Sequence, residues 1–335
     1  MKAAVFKALH QPLVVETVPD PTPGLGQVIV QVEACGVCGT DLHIAAGEFP
    51  PTPYPIVPGH EFAGSIVAIG PGAAGIRMGD RVAVDPSIFC RYCRFCRVGK
   101  GNLCENWNAT GDTVDGGFAQ YVAVAAANCY QLPEQLSFRQ GALIEPLSCA
   151  VHGLHRLAPQ PGDRALVVGA GTMGLLLVQL LARTGATEVA VVDTNAARLP
   201  LATRMSATAT GTSLAEVADA AASGFDLVVD ATGVAPAIES ALGVVKRGGK
   251  FLVFGVAAGD ASVAVSPFQI YNDEITVLGS MAVLNSFQPA LDLLATGAVA
   301  ADPLLSHALP LESYPEALDT VRRGEGVKVQ VLPTG

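Results

Sequence analysis

The sequence of 335 residues predicts an α/β protein in which a β-rich region precedes a doubly wound parallel sheet. Up to about residue 145, short apolar runs alternate with Pro and Gly and show no helical period, which indicates an irregular β barrel or sandwich. From Arg164 onward, apolar strands alternate with helical segments, and this alternation is typical of a parallel sheet covered by helices.

Composition excludes several classes of protein. Half of the residues are hydrophobic and 15% are charged, so the chain can bury substantial cores. A net charge of −10 argues against nucleic-acid binding, because proteins that bind nucleic acids typically carry a basic patch or stripe. We expect neither a signal peptide nor a membrane span, because the uncharged stretch 165–182 is better explained by a strand, a glycine turn and a helix. Eight cysteines then favour metal or redox use in a cytoplasmic protein.

A first candidate metal site combines Cys38, His60 and Glu61. Thiolate, imidazole and carboxylate are ligand types that zinc prefers, and three protein ligands leave the open position of a catalytic site. The ligands lie on two separate loops that would have to converge, so a buried Cys and a capped His that never meet fit this stretch equally well.

Three further cysteines are not assigned to a metal site. Cys35 forms a Cys-x-x-Cys pair with Cys38, but the flanking Gly36 and Gly39 argue against a helix start here, and hence against a thioredoxin-like dithiol. We interpret Cys35 as a small packed residue, and Cys129 and Cys149 as core thiols.

A second candidate metal site is a run of four cysteines with the spacing Cys-x2-Cys-x2-Cys-x7-Cys, formed by Cys90, Cys93, Cys96 and Cys104. Four thiolates so close in sequence can close a tetrahedral zinc site without other ligands. Bacterial ferredoxin spacing ends in a shorter gap followed by Cys-Pro, which disfavours an iron–sulfur cluster. A closed site leaves no open coordination position, so this zinc is predicted to be structural.

A dinucleotide site is predicted where a strand, a Gly-x-Gly-x-x-Gly turn and a helix follow one another from Arg164. The glycines permit a tight turn and backbone approach to a pyrophosphate at the helix N-terminus. Asp193 ends the next strand, where a ribose diol would bind, and favours NAD over NADP; Arg198 could in principle receive a 2′-phosphate. The predicted cofactor-binding residues are Gly169, Gly171, Thr172, Met173, Gly174, Asp193, Arg198, Thr232, Gly255, Val256, Gly279 and Ser280.

Further elements complete the predicted architecture. Glu145 lies at the start of a helix in which Pro146 takes the first position, and is either a helix-start carboxylate or a residue of a site. After the glycine turn, the predicted strands are 189–192, 225–233 (a strand that ends in a turn), 251–255, 275–280 and 327–331, and the predicted helices are 236–245, 286–294 and 314–322.

Taken together, these motifs resemble the zinc-dependent medium-chain dehydrogenases, and the resemblance runs nearly end to end. It rests on Cys-Gly-Thr-Asp-Leu-His at 38–43, Gly-His-Glu at 59–61, the four cysteines, Glu-Pro-Leu-Ser at 145–148, the glycine turn and Asp193. Gly-His-Glu with Glu-Pro-Leu-Ser is most similar to the sorbitol, arabinitol and threonine dehydrogenase branch. The resemblance implies a GroES-like catalytic domain at 1–146 and 283–335, a Rossmann domain at 147–282, and a homo-oligomer, either a dimer or a tetramer.

The resemblance also implies residue roles. Cys38 and His60 would bind a catalytic zinc, with Glu61 or Glu145 as a further ligand, so that each chain would hold two zinc ions. Thr40 and His43 would carry the proton from the substrate hydroxyl, while hydride passes to NAD. Glu145 stands where classical alcohol dehydrogenases have a cysteine, which makes an ethanol-type enzyme a poorer match.

The expected substrate is a secondary alcohol of a polyol or sugar, oxidised reversibly to a ketone. L-Threonine or a sugar phosphate is the alternative substrate within the family, and a non-enzymatic nucleotide sensor is a less favoured alternative of another class. Tyr54, Phe118 and Phe49 are predicted from position alone to line the substrate pocket.

Overall fold

A computed structural model describes residues 1–9, 11, 13–48, 52–217 and 224–334. The chain divides into two compact units, one formed by Met1–Ser148 with Val283–Gly335 and the other by Cys149–Ala282. The first unit is thus assembled from both ends of the chain, and the second from one continuous segment.

The described chain is made of short strands and helices. The strands are β1 (Lys2–Val5), β2 (Val14–Thr17), β3 (Gln27–Gly36), β4 (Glu61–Ile69), β5 (Arg81–Val84), β6 (Ser87–Ile88), β7 (Asn108–Ala109), β8 (Tyr121–Ala125), β9 (Cys129–Gln131), β10 (Arg164–Val168), β11 (Glu188–Val192), β12 (Ala209–Gly211), β13 (Phe225–Asp230), β14 (Val245–Val253), β15 (Thr276–Gly279), β16 (Leu305–Pro310) and β17 (Lys328–Leu332). The α-helices are α1 (Gly39–Ala46), α2 (Arg94–Arg97), α3 (Phe138–Gly141), α4 (Ile144–Leu157), α5 (Thr172–Ala182), α6 (Leu199–Arg204), α7 (Ala235–Leu242), α8 (Pro267–Asn272), α9 (Phe287–Ala295) and α10 (Tyr314–Arg322).

The first unit is built on one large sheet with the order β16-β17-β3-β4-β5-β9, to which β8 adds by pairing with β3. Strand β17, from the end of the chain, pairs antiparallel with β3, so that Val331 lies opposite Cys35. Buried valines of β3 and β8 fill the core together with Phe62 and Tyr314. The C-terminal strand therefore lies beside the strand that leads into Cys38.

The second unit is a six-stranded parallel sheet with the order β12-β11-β10-β13-β14-β15. Numbered from β10, this is the order 3-2-1-4-5-6 of the dinucleotide-binding doubly wound fold. The central strands β10, β11 and β13 are nearly continuous buried aliphatic runs, as expected for strands covered on both faces, whereas β15 at the edge is largely exposed. The order reverses at β10, so the turn that follows this strand lies at the topological switch point.

Some sequence-based predictions were wrong in detail. Helix α1 does begin at Gly39, because the Asp41 carboxylate accepts a hydrogen bond from the Cys38 amide and satisfies a donor at the helix start. Helix α4 begins at Ile144, two residues before the predicted first position, and Pro146 lies in its first turn, where no amide donor is needed. Strand β14 already begins at Val245, so the preceding helix ends earlier than predicted.

Other predictions concern single side chains. Cys35 is fully buried, as predicted. Cys129 and Cys149 are only partly buried, although Cys129 packs against the core of the first unit. Phe118 is fully buried with its ring centroid 4.1 Å from that of Tyr314, and so belongs to the core rather than to a pocket wall. Phe49 lies outside the described residues. None of the described helices is long and apolar enough to cross a membrane.

Candidate metal centres and dinucleotide site

Cys38 lies at the N-cap of α1, at the end of the loop that follows β3. Its Sγ lies 3.7 Å from the Thr40 hydroxyl oxygen, and its amide donates to Asp41 Oδ2 at 2.8 Å. Helix α1 is capped at its C-terminus by Gly47, whose φ of 74° is the left-handed conformation that suits glycine. The cap thus fixes the backbone that presents the Cys38 thiol.

His60 and Glu61 stand where the loop before β4 becomes a strand. Gly59 has φ of 103°, a conformation that a side chain would strain. The ligand atoms of Cys38, His60 and Glu61 all lie within 4.8 Å of one another, and His60 and Glu61 are buried. The two loops therefore do converge, and the alternative in which the cysteine and the histidine never meet is excluded.

Lys328 is a member of this centre that sequence reasoning missed. Its Nζ donates to the two carboxylate oxygens of Glu61 at 2.6 and 2.9 Å, and to the Val37 carbonyl at 3.2 Å. The side chains of Lys328 and Glu61 are 4% and 1% exposed. Burial opposes the charged amine, but Glu61 and Cys38 raise the pKa of Lys328. A lysine within a run of buried valines was the signal available in the sequence.

The side chain of His60 contacts a second residue that the sequence did not indicate. Its Nδ1 lies 3.0 Å from Oδ1 of Asp112, and both side chains are buried. Burial disfavours the imidazolium, yet Asp112 and Cys38 together raise the pKa of His60 well above its usual 6.5.

The proposed proton carriers share one helix. Thr40 and His43 are three positions apart on α1, so they lie on the same side of it. Nδ1 of His43 lies 2.8 Å from Glu48 Oε2, and its side chain is 26% exposed. Glu145 lies buried in the first turn of α4, but among the described residues it does not belong to the group whose ligand atoms lie within 4.8 Å.

The four cysteines of the lobe around α2 form a second ligand cluster, with all four sulfur atoms within 4.8 Å of one another. Backbone amides point at the sulfurs: the Cys90 amide donates to Cys104 at 3.3 Å and the Cys93 amide to Cys90 at 3.4 Å. Burial opposes ionisation of Cys90, but the amides of Cys93 and Tyr92 lower the pKa of its thiol to about 6. These donors stabilise thiolate charge, which metal binding requires.

In the second unit, the turn between β10 and α5 leaves room for a phosphate group. Gly169 has φ of 105°. A Cβ on Gly174 would lie 1.8 Å from the Gly169 carbonyl oxygen, so this glycine is required for close packing. A Cβ on Gly171 would meet nothing within 4 Å, and Gly171 is the N-cap of α5, whose first turn begins with Thr172 and Met173.

Asp193 follows β11 at the same edge of the sheet and is held by the backbone. Its Oδ2 accepts a hydrogen bond from the Ala170 amide at 2.6 Å, and its Oδ1 accepts one from the Asn195 amide at 2.7 Å. Nη1 of Arg198 lies 3.5 Å from Oδ2. The carboxylate therefore ties the glycine turn to the end of β11, in addition to any contact with a ribose.

The other predicted cofactor contacts follow the carboxyl ends of β13, β14 and β15. A Cβ on Gly255 would lie 2.2 Å from the amide nitrogen of Gly233, so the two turns touch through their backbones. Asp230, which sequence reasoning missed, orients this edge, since it accepts hydrogen bonds from the Thr232 amide and hydroxyl and from the Gly233 amide. Val256 is 61% exposed. Gly279 ends β15, and the following amide, that of Ser280, donates to the Val253 carbonyl at 3.3 Å.

Comparison with known proteins identifies the class of protein. Residues 24–134 match the alcohol dehydrogenase GroES-like domain, and residues 172–296 match the zinc-binding dehydrogenase family. The chain belongs to the zinc-dependent medium-chain dehydrogenases and is an oxidoreductase. This finding confirms the resemblance and the fold class that the sequence predicted.

Individual relatives extend over nearly the whole chain. D-Arabinitol dehydrogenase 1 of Uromyces fabae is 38% identical over 316 residues, which is 92% of this chain and 90% of the relative. A putative zinc-binding dehydrogenase from Sinorhizobium meliloti 1021, solved with NADP, is 36% identical, has a TM-score of 0.93 and covers 99% of both chains. An alcohol dehydrogenase from E. coli CFT073, solved with NADH, is 30% identical, has a TM-score of 0.92 and also covers 99% of both chains.

The residues of this chain fit the two cofactors of the family. A thiolate, an imidazole and a carboxylate in one group suit an open zinc site, and four cysteines with amide donors suit a closed one. The open side of Gly171 at the N-terminus of α5, beside Asp193, suits the pyrophosphate and ribose of a nicotinamide dinucleotide.

Proposed function

We propose that this chain oxidises a secondary alcohol of a polyol or sugar to a ketone, reversibly, with reduction of NAD to NADH and release of a proton. The observation that carries the proposal is the convergence of Cys38, His60 and Glu61 within 4.8 Å, in a chain that also has the glycine turn of a dinucleotide site. The polyol class is supported by the arabinitol dehydrogenase, 38% identical to this chain.

The metal-binding residues are inferred to be Cys38, His60 and Glu61. A zinc ion at such a site supplies a Lewis acid that lowers the pKa of a bound hydroxyl, so the alcohol can lose its proton near neutral pH. Lys328 holds both oxygens of Glu61 and thereby sets the direction of that carboxylate. Glu145 remains the candidate for a fourth group, and its charge, after those of Glu61 and Cys38, contributes to raising the pKa of Lys328.

The proton is proposed to leave the substrate by way of Thr40 and His43. The Thr40 hydroxyl can accept the proton and pass on its own, because it lies 3.7 Å from the Cys38 sulfur and hence beside the substrate-binding position. His43 lies one helical turn further and is partly exposed, which suits a group that exchanges protons with solvent. Glu48 orients the ring by its contact with Nδ1, and leaves Nε2 for the transfer.

NAD is proposed as the preferred cofactor because the Asp193 carboxylate ends β11, where a 2′-phosphate would meet a negative charge. Both carboxylate oxygens already accept backbone hydrogen bonds, so the side chain cannot easily turn away from a phosphate. Arg198 lies beside the carboxylate and offsets part of its charge, so NADP is expected to be used weakly rather than excluded.

We also infer a homo-oligomer, a dimer or tetramer, in the cytoplasm. Strand β15 is an edge strand of its sheet, and Val277 on it is 46% exposed. Phe268 and Tyr271 on α8 of the same unit are 73% and 82% exposed, which is unusual for large apolar groups and favours a covered surface. Light scattering of the purified protein measures the assembly.

The cysteines support the proposed cytoplasmic location. None of the eight, all of which lie in the described part of the chain, forms a disulfide, which favours a reducing compartment.

The proposed activity is tested by a panel of substrates, followed through NADH formation. It contains D-arabinitol, sorbitol, xylitol, L-threonine, a hexitol phosphate and ethanol, each with NAD and with NADP. We expect the highest kcat/KM with a polyol and NAD. Best turnover with L-threonine or the phosphate would favour the alternative substrate class, and no turnover of any secondary alcohol would refute the proposal.

Zinc content and one variant pair connect this activity to the site. We expect two zinc ions per chain in the wild-type protein, and one in Cys38→Ser, which should be inactive but folded. The matched control is Cys129→Ser, because Cys129 lies outside both ligand clusters. Among the described residues, its thiol donates a hydrogen bond to a backbone carbonyl and to no other group. Wild-type activity in Cys38→Ser would exclude a role for this thiol.

A further inference from the structure

The loop between β7 and β8 is fastened to the loop that carries His60. Three consecutive amides donate across the gap: Gly116 to Val57, Gly117 to Gly59 and Phe118 to Pro58, at 2.7 to 3.0 Å. The two backbones touch further along, since a Cβ on Gly111 would lie 2.2 Å from the Gly59 carbonyl oxygen. Backbone hydrogen bonds therefore join residues 109–118 and residues 57–60 into one double layer.

This double layer delivers the side chain of Asp112 to the ring of His60. Asp112 Oδ1 lies 3.0 Å from His60 Nδ1, and each side chain is 8% exposed. Neither atom has a hydrogen bond elsewhere in the described part of the chain. These two buried polar atoms are best explained as partners of each other, because a buried polar atom without a partner costs free energy.

A second carboxylate near His60, that of Asp41, is engaged through one oxygen. Asp41 Oδ2 accepts a hydrogen bond from the Cys38 amide and belongs to the cap of α1, whereas its buried Oδ1 has no hydrogen bond among the described residues. The turn that carries Asp112 does not depend on the Asp112 carboxylate. The Thr113 hydroxyl accepts a hydrogen bond from the Ala109 amide at 2.9 Å, and backbone hydrogen bonds complete the turn. The Asp112 side chain is thus available for His60, and its burial is not explained by the turn itself.

We propose that Asp112 is a positioning residue of the catalytic metal centre: it holds Nδ1 of His60 and so directs Nε2 towards the metal position beside Cys38. This inference rests on the proposed function, because it concerns the same site. A carboxylate on one ring nitrogen fixes the tautomer and the ring orientation, and makes the other nitrogen a stronger ligand. Asp112 touches neither substrate nor metal and acts through His60.

The test compares zinc affinity in Asp112→Ala, Asp112→Asn and Thr113→Ala with that of the wild type. Zinc is titrated by competition with a chelator, and the zinc of the four cysteines serves as an internal reference in each sample. We expect Asp112→Ala to weaken the catalytic site by about 10- to 100-fold, with a smaller loss in Asp112→Asn, whose neutral amide keeps the size and an acceptor oxygen. Thr113→Ala alters the same turn but leaves the carboxylate, and should bind zinc as the wild type does.

A spectroscopic measurement separates positioning from general stability. Co²⁺ in the catalytic site is expected to show shifted visible absorption bands in Asp112→Ala and unshifted bands in Thr113→Ala, because only the former changes how His60 meets the metal.

Each outcome bears on one hypothesis. Unchanged zinc affinity and Co²⁺ spectrum in Asp112→Ala would overturn the inference, as would an equal loss in Thr113→Ala. If Asp112→Ala does not fold, Asp112→Asn decides: wild-type affinity and spectrum there overturn the inference, and a loss supports it. A wild-type protein with only the four-cysteine zinc would instead refute the proposed catalytic centre.

Discussion

Replacing Lys328 by Met removes one partner of the buried ion pair with Glu61 and keeps most of the side-chain volume. The pair is short, at 2.6 and 2.9 Å, and its members are only 4% and 1% exposed. Breaking a buried pair from one side typically costs about 3–5 kcal/mol, because the remaining charge is left in a poorly solvated place. The Val37 carbonyl also loses its donor, which adds about 1 kcal/mol.

The size of the loss depends on the metal. In protein with zinc only at the four cysteines, Glu61 has no counter-charge once Lys328 is gone, so the full loss of about 4–6 kcal/mol is expected. With the catalytic zinc bound, the metal offsets the charge of Glu61 and the loss should be smaller. Glu61→Gln with Lys328→Met should also be less destabilised than Lys328→Met alone, since no uncompensated carboxylate remains.

Urea unfolding provides the assay, because Trp107 is the single tryptophan of the chain and belongs to the same unit as the ion pair. Its fluorescence therefore reports the unfolding of this unit. The control is Lys2→Met, which breaks the exposed pair of Lys2 with Glu312 and should leave the transition nearly unchanged. If Lys328→Met unfolds within about 0.5 kcal/mol of the wild type in the absence of catalytic zinc, the ion pair does not stabilise this unit and the reasoning is refuted.

Two further predictions concern the other sites. Asp193→Gly should lower kcat/KM for NAD by about 10- to 100-fold relative to NADP, because a charged hydrogen-bond acceptor at the ribose is lost; an unchanged ratio of the two kcat/KM values would exclude the ribose role. It should also lower the melting temperature, since the Ala170 and Asn195 amides lose their acceptor. Cys93→Ser should lower zinc content from two to one per chain while the catalytic zinc remains; metal analysis that still finds two would contradict a four-thiolate site.

Local patterns in the sequence were sufficient for much of the fold. The alternation of strands and helices after Arg164, with the glycine turn in its first unit, predicted a doubly wound sheet, because such a sheet follows from short-range periodicity and from connections of fixed hand. The four cysteines lie within one short segment, so their cluster needed no knowledge of long-range packing. Element ends were less well predicted: α1 was missed, since a cap at Cys38 outweighs the low helix propensity of Gly39.

The sequence by itself determined the types of ligand present and the kind of cofactor that the chain can bind, because these depend on the chemistry of side chains and on local turns. Only the tertiary structure decided which groups surround the ligands. Lys328 meets Glu61 across 267 positions, because β17 returns to pair with β3. Asp112 meets His60, because two loops are fastened backbone to backbone. The local sequence around Lys328 or Asp112 does not identify the partner, since partners far apart in sequence are chosen by the packing of the whole unit.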